Sequence, residues 1–398
     1  MGKRLKIAVF SGTIPSTTFI EHLIKGVSQT HEVLLFGVQT KPVAYESVHI
    51  KVYDTPKPHV KNAVVSSYRL LQLVLKSPKD AVKLYRHTSQ FKKRYERWVW
   101  FTKLLPIILH KPDVFHIQWA KDVAFYTVLQ DAFGIPIVVS LRGAHINYTP
   151  IVDLSTAIIY KQEFPKIKAF HAVSKAIGEE VKLYGAKASS IHTIHSPIPP
   201  FFFDHYRACE TVQDKTIRLV SVGRFHWIKG YEIALDAVAL LKNKGYNIHY
   251  TIVGPDEFTE ALLFQCHQLN LVDNVVLVGA MPQTELISFL RQFHGMLLPS
   301  LKEGIANVVL EAMAVGLPVV STDCGGMAEV VIPNETGWLV LVRDSEAMAD
   351  AVIALSETSE LELHAITKRA HEFVKEAFNA EDSISQFVRL YEEVVGDC

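Results

Sequence analysis

Two carboxylates set the chemistry open to this sequence. Glu303 and Glu311 lie in PSLKEGIANVVLEAMAVGLPVVSTDCGG, Pro299 to Gly326, with seven residues between them. Gly295 to Leu298 reads as an apolar strand, Pro299 to Ala306 as a loop, and about Asn307 to Val315 as a short helix. Gly316 followed by Pro318 stops that helix, and Leu317 to Thr322 reads as a second buried strand. Asn307 is placed as the N-cap. Such a helix start offers free backbone amides and the positive end of a dipole, which suit phosphate. Ionised carboxylates only accept hydrogen bonds, so sugar hydroxyls are natural partners for glutamates beside a bound anion. Taken alone, the stretch also fits a plain strand–helix–strand unit with two solvated glutamates.

Two cations stand in a second loop, Gly223-Arg224-Phe225-His226-Trp227-Ile228-Lys229-Gly230, between a strand and a helix. Fixed cations at Arg224 and Lys229 suit a diphosphate leaving group, whose charge grows as a glycosidic bond breaks. The Gly-rich spacing of a Walker loop is absent. Gly12, in Ser11-Gly12-Thr13-Ile14-Pro15, follows the first strand on the ligand side of a doubly wound sheet. Arg142-Gly143-Ala144-His145 ends another strand at the same side.

The elements that position these residues alternate strand and helix twice. Strands are expected at Lys6–Phe10, Glu32–Phe36, Asp113–Gln118, Ile135–Leu141, Lys168–Val173 and Ile191–His195. Helices are expected at about Thr17–Thr30 and Asp122–Phe133, with Ser174 capping the next. A proline-rich break, Ser196 to Asp204, is the linker candidate. The alternation then restarts, with strands at Arg218–Val222, Ile248–Val253 and Val275–Val278, and helices at Tyr231–Lys244, Thr259–Leu269 and from Pro282. Asp344 caps a further helix, and SISQFVRLYEEVV has helical periodicity. At 398 residues, two domains are the default.

Composition narrows the class. The chain carries 41 basic and 41 acidic residues, which argues against bulk nucleic-acid binding. Cys209, Cys266, Cys324 and Cys398 are scattered without metal-like spacing, as expected in a reducing compartment. The start, MGKRLKIAVF, lacks a signal-peptide pattern, and no apolar run approaches a membrane span, so a cytoplasmic chain is expected. Between Lys76 and Lys103 nine basic residues interleave with Tyr85, Phe91, Tyr95, Trp98, Trp100 and Phe101, opposed only by Asp80 and Glu96. Such a segment can lie on the anionic inner face of a membrane, or be a solvated helix whose aromatics pack inward.

Together, GRFHWIKG, VLVGAMPQTELISFLRQFHGMLLPSLKEG, the Glu303–Glu311 spacing, EAMAVGLPVVSTDCGGMAEVV and NETGWLV resemble the retaining glycosyltransferases of family 4. TIPSTTFIEHL, FHIQW, IVVSLRGAHI and FHAVSKAI match more loosely in the first half. The chain looks most similar to bacterial transferases that build exopolysaccharide, colanic-acid-type or lipopolysaccharide chains. That resemblance implies an α/β GT-B fold, two Rossmann-like domains facing a central cleft. It implies an acceptor-binding domain over 1–200, a donor-binding domain over 201–378, and a C-terminal helix, 379–398, crossing back to the first domain.

The resemblance also implies roles. Arg224 and Lys229 would bind the donor diphosphate, Glu311 the ribose hydroxyls, and Glu303 with the backbone of Gly304, Ile305, Ala306 and Asn307 the donor sugar and phosphate. Backbone near Val278 and Gly279 would frame the base, Gly223 and Gly254 would line the pocket, and Gly12 would lie under the diphosphate near the acceptor. Many relatives carry His where this chain has Arg142, so Arg142 and His145 share the catalytic-centre assignment.

The expected reaction is front-face transfer from a nucleotide-diphosphate sugar to a glycan or lipid-linked acceptor, with closure of the two domains excluding water. No Asp-x-Asp pair is present, so no metal or other cofactor is expected. No carboxylate nucleophile stands out as it would in a retaining glycosidase. Rival readings are a nucleotide-sugar epimerase, a glycosyl phosphorylase, and a non-catalytic glycan- or lipid-binding subunit of the same fold.

Overall fold

The computed structural model describes residues 4–209, 216–255 and 260–396. The expected start of a helix at Thr259, the first three residues, Met1–Lys3, and Cys398 lie outside the described residues. The chain forms two compact units, each built on one parallel sheet.

The first unit comprises Met1–Val173, Gly178–Ile194 and Glu381–Cys398. Its strands are β1 (Lys6–Ile14), β2 (Glu32–Gln39), β3 (Ile50–Asp54), β4 (Val114–Ile117), β5 (Ile137–Leu141), β6 (Ala169–Ala172) and β7 (Ile191–Thr193). They lie in the order β3-β2-β1-β4-β5-β6-β7. Short apolar runs such as IAVF in β1 and VLLF in β2 are buried, as strands covered on both faces require. β1 does not end at Phe10. A bulge between Phe10 and Gly12 lets it continue to Ile14, pairing Gly12 with Gly37 of β2. The expected loop at Ser11–Pro15 is thus mostly strand, because β2 also extends to supply the ladder.

Four helices follow early strands: α1 (Thr18–Val27), then α2 (His59–Lys76), α3 (Pro78–Ser89) and α4 (Arg94–His110) between β3 and β4. The basic–aromatic segment therefore spans α3 and α4. Leu104, Leu105, Ile107, Ile108 and Leu109 bury the second half of α4. Trp100 stacks on Phe125 with ring centres 4.3 Å apart, and Lys103 Nζ lies 4.6 Å over the same indole.

The C-terminal helix Ala380–Gly396 belongs to the first unit and inserts Phe387, Leu390, Tyr391 and Val394 into its core. Gly26 in α1 lets it approach, since a Cβ there would meet Ile384 at 2.5 Å. A buried polar chain ties this helix to the sheet. His171 Nε2 faces the Ile194 carbonyl at 2.8 Å and must donate to it. Its Nδ1 then accepts from Ser140 Oγ at 2.7 Å, Ser140 accepts from His116 Nε2 at 2.8 Å, and His116 Nδ1 accepts from Tyr391 Oη at 2.7 Å. The rule that buried polar atoms find partners fixes one tautomer per histidine along this chain.

The second unit comprises Ser174–Ile177 and His195–Ala380. Its strands are β8 (Thr216–Val222), β9 (Asn247–Val253), β10 (Val275–Val278), β11 (Gly295–Leu298), β12 (Val319–Thr322) and β13 (Trp338–Val340), in the order β10-β9-β8-β11-β12-β13. The proline-rich stretch 196–204 is packed: Ile198 and Phe202 are buried in this unit's core. No helix among the described residues is long and apolar enough to cross a membrane.

Each sheet has one switch point, where the chain leaves a strand to one side and later returns on the other. These are β1/β4 and β8/β11. Ligands of parallel sheets bind at the carboxyl ends of such pairs.

Candidate functional site

In the second unit the two loops singled out by sequence leave the carboxyl ends of β8 and β11, which are neighbours. Leu301 N donates to Ile228 O at 2.7 Å and joins them. Gly230 sits at φ +63 with no room for a Cβ against the Pro299 carbonyl. Lys229 Nζ and Glu303 Oε1 form an ion pair at 2.6 Å, both side chains mostly covered, and Ser300 Oγ donates to the same oxygen at 2.9 Å.

The neighbouring turn fixes the Glu303 loop. Gly326 N donates to Gly304 O at 2.8 Å, and Gly325, at φ +66, fits against the Glu303 carbonyl where a Cβ would not. Thr322 Oγ1 donates to Ser300 O at 2.6 Å.

The helix Asn307–Val315 follows as expected, but Asn307 is its first helical residue and exposed. Ala306 holds the capping position without a side-chain bond, so the N-cap assignment to Asn307 is corrected. The Ala306 amide donates to Met327 Sδ at 3.4 Å, a weak acceptor. The amides of Asn307 and Val308 head the helix with no acceptor inside it.

Glu311, one turn on, is buried, and its Oε1 accepts from Gln283 Nε2 at 2.9 Å. Burial pushes its carboxyl up to about 7, and the Gln283 bond holds it back only in part. Gly223 N donates to Val253 O and Gly254 N to Val278 O, lining up the ends of β8, β9 and β10. Gly254 is needed there because a Cβ would meet Gly223 O and the Phe225 ring. Gly279 is exposed beyond Val278. Arg224 is exposed too, so the expected pair of fixed cations is one ion-paired lysine and one solvent-facing arginine.

The remaining expected residues lie in the first unit. Gly12, at φ +88, stands past the β1 bulge with open space where a Cβ would be. Arg142, after β5, donates from Nη2 to Gln118 Oε1 at 2.9 Å and lies 4.3 Å over the Phe19 ring. Burial brings its guanidinium down to about 9, so it is cationic at neutral pH. Gln118 Nε2 and Arg142 Nε are buried donors without an acceptor among the described residues. His145 is half-buried in the turn Ala144–Asn147, edge-on to Trp119, and burial lowers its pKa, with Lys121 adding to the effect.

Sequence reasoning missed Ser300, Gln283 and Gln118. Only Ser300 carried a local signal, as a hydroxyl three residues before Glu303. Gln283 and Gln118 reach the sites from other strands and helices.

Residues 203–373 match the family described as glycosyl transferases group 1. The N-acetyl-alpha-D-glucosaminyl L-malate synthase of Bacillus anthracis is 31% identical over 72% of this chain and 76% of its own length. The chain belongs to the group 1 glycosyl transferases. The amylovoran biosynthesis glycosyltransferase AmsK of Erwinia amylovora is 29% identical over 64% of this chain. The putative colanic acid biosynthesis glycosyltransferase WcaL of Escherichia coli is 36% identical over 41% of it. These matches span 65% and 42% of the relatives' own lengths, less than two thirds of either.

Among solved structures, sucrose-phosphate synthase of Thermosynechococcus elongatus superposes over 99% of this chain and all of its own, with a TM-score of 0.72 at 17% identity. HepE of Anabaena covers 98% of this chain and all of its own at 0.69 and 16%. The fold is GT-B. The group 1 glycosyl transferase match holds Arg224, Lys229, Glu303 and Glu311, whereas Gly12, Arg142 and His145 lie outside it.

Proposed function

We propose that the protein is a metal-independent, retaining glycosyltransferase of family 4. It moves a sugar from a nucleotide-diphosphate sugar to a glycan or lipid-linked acceptor in bacterial cell-surface polysaccharide synthesis. The observation that carries this reading is the Lys229–Glu303 pair beside the open helix start at Asn307, with the buried Glu311 one turn on. A diphosphate takes the Asn307 and Val308 amides and draws on Lys229 and Arg224. Ribose hydroxyls donate to Glu311, which ionises as it gains them. Gly304, Ile305 and Ala306 face the sugar, and the backbone around Val278 and Gly279 frames the base.

Transfer proceeds on one face. The acceptor oxygen bonds to the anomeric carbon as the bond to the phosphate oxygen breaks, and the acceptor proton passes to that leaving oxygen. Lys229, Arg224 and the helix amides stabilise the charge that develops there, in place of a metal. In the first unit, the orphaned donors of Gln118 and Arg142, at the ends of β4 and β5, suit an acceptor oxygen. His145 lies in the next turn, and Gly12 leaves the end of β1 open.

HepE was crystallised in complex with UDP and glucose, so UDP-sugars are the first donors to try. A thermal-shift panel of nucleotides and nucleotide sugars tests donor binding, since a ligand at 100 times its Kd adds about 2.7 kcal/mol of apparent stability. Labelled donor with glycan acceptors then tests transfer. A Tm unmoved across the panel sinks the donor site, and an isomerised sugar or a sugar phosphate as sole product sinks transfer.

A further inference from the structure

The helix α2 turns an apolar stripe outward. Its buried positions are Asn62, Ser66 and Leu73, 7%, 2% and 1% exposed, with Ser66 Oγ donating to Asn62 Oδ1 at 3.0 Å. Its outer face carries Val60, Val64, Tyr68, Leu71 and Leu75, which are 80%, 66%, 64%, 57% and 77% exposed. Steps of three and four residues put these five on one stripe, about a quarter of the circumference at 3.6 residues per turn. A helix on an aqueous surface buries its apolar stripe and wets its amides and hydroxyls. This one covers an amide and a hydroxyl beside Leu73 and leaves five large apolar side chains in water, so the stripe is shaped for an apolar neighbour outside the fold.

Charge decides which neighbour. The whole chain is balanced, yet Lys57 to Arg97 holds eleven of its 41 cations and only two of its 41 acids, Asp80 and Glu96. None of the acids lies in α2. Lys57 and Lys61 are exposed at its start, Lys76 at its end, and Lys79, Lys83 and Arg86 along α3. α2 and α4 run side by side: the His59 and Tyr95 rings are 6.2 Å apart at their starts, and Lys76 Nζ bonds Leu109 O at their ends. The exposed Lys93, Arg94 and Tyr95 therefore adjoin the start of the stripe. A second copy packed through the same face would meet it with like charge. A bilayer offers apolar depth beneath an anionic surface.

We infer that α2 docks the protein on an anionic lipid bilayer. The Val60–Leu75 stripe enters the boundary between headgroups and acyl chains, and the lysines and arginines around it meet lipid phosphates. The inserting element is thus α2, and Trp100, stacked between its neighbours, is not part of it.

Flotation of the full chain tests this. The vesicles are phosphatidylcholine alone and phosphatidylcholine with phosphatidylglycerol, each at low and high salt. The variants are Val64→Glu/Leu71→Glu/Leu75→Glu and Lys61→Glu/Lys79→Glu/Arg86→Glu, all at exposed positions, with folding checked by circular dichroism. The wild type floats with the anionic vesicles and keeps a salt-resistant remainder. The apolar variant loses about tenfold or more of the floated fraction at either salt, and the charge variant loses it at low salt. In the unaltered chain, hydrogen exchange slows within 57–97 when anionic vesicles are added. No flotation of the wild type, equal flotation of the apolar variant, or a vesicle-independent dimer that the apolar variant dissolves overturns the inference. Flotation reads no turnover, so docking can fail while sugar transfer holds, and the reverse.

Discussion

Glu311 is a carboxyl placed where water hardly reaches, and its burial makes a measurable conflict between stability and binding. Its folded pKa, about 7, lies above the ordinary 4.5. Between those values the folded chain holds a proton that the unfolded chain lacks, so stability falls as pH rises through the window. Glu311→Gln removes that loss and can keep the Gln283 bond through its amide oxygen. The variant should match the wild type near pH 4.5 and exceed it at pH 8 by on the order of 2–3 kcal/mol, read as Tm. With Glu311 proposed to accept ribose hydroxyls, its kcat/KM should drop roughly ten- to a hundredfold as that charged acceptor is lost. A Tm difference that ignores pH counts against the buried-carboxyl account.

The two cations differ in the same way. Arg224 is exposed, so Arg224→Ala should leave stability within about 0.5 kcal/mol. Lys229→Ala strands the covered Glu303 carboxylate and should lower Tm as well. Each should cost about 2–4 kcal/mol in kcat/KM with a nucleotide-sugar donor, as donors aimed at developing charge do. Full turnover in the folded double variant would remove both from the site.

At the scale of elements, the C-terminal helix is a structural member of the first unit. It carries apolar side chains into the core and closes the His116–Ser140–His171 chain through Tyr391. Tyr391→Phe keeps the ring and removes the hydroxyl, leaving His116 Nδ1 buried without a donor. The expected loss is about 1–3 kcal/mol in chemical denaturation. Burial, aided by Arg142, holds His116 well below its usual pKa of 6.5. The unfolded chain therefore takes up a proton first, and this contribution fades as pH falls below 6.5. An unchanged denaturation midpoint in Tyr391→Phe would show that the hydroxyl bond contributes nothing net.

At the scale of the whole molecule, the chain completes its first unit only with its last segment, Glu381–Cys398. A chain truncated after Ala380 loses Phe387, Leu390, Tyr391 and Val394, each worth about 1.5–3 kcal/mol of burial. Against a typical stability of about 5–15 kcal/mol, the first unit should lose hydrogen-exchange protection while the second, ending at Ala380, keeps its own. Protection retained in β1 and β4 would contradict this. The reaction belongs to this scale as well. With Lys229, Arg224 and helix amides proposed to hold the diphosphate, transfer should persist in excess EDTA. Activity lost in EDTA and restored by magnesium or manganese would place a metal in the mechanism.

What the sequence determined by itself was local. The strand Gly295–Leu298, the helix Asn307–Val315 and its stop at Gly316 stand where apolar runs, a glycine and a proline put them. Such signals act over a few residues, so one sequence carries them. Tertiary structure decided everything that depends on neighbours distant in the chain. β8 and β11 are adjacent only because the chain crosses the sheet between them, and that crossing brings Lys229 within 2.6 Å of Glu303. The raised carboxyl of Glu311 depends on burial under its whole unit. α2 escaped sequence reading because its apolar residues face outward, and periodicity reports a stripe without reporting which side the rest of the protein covers.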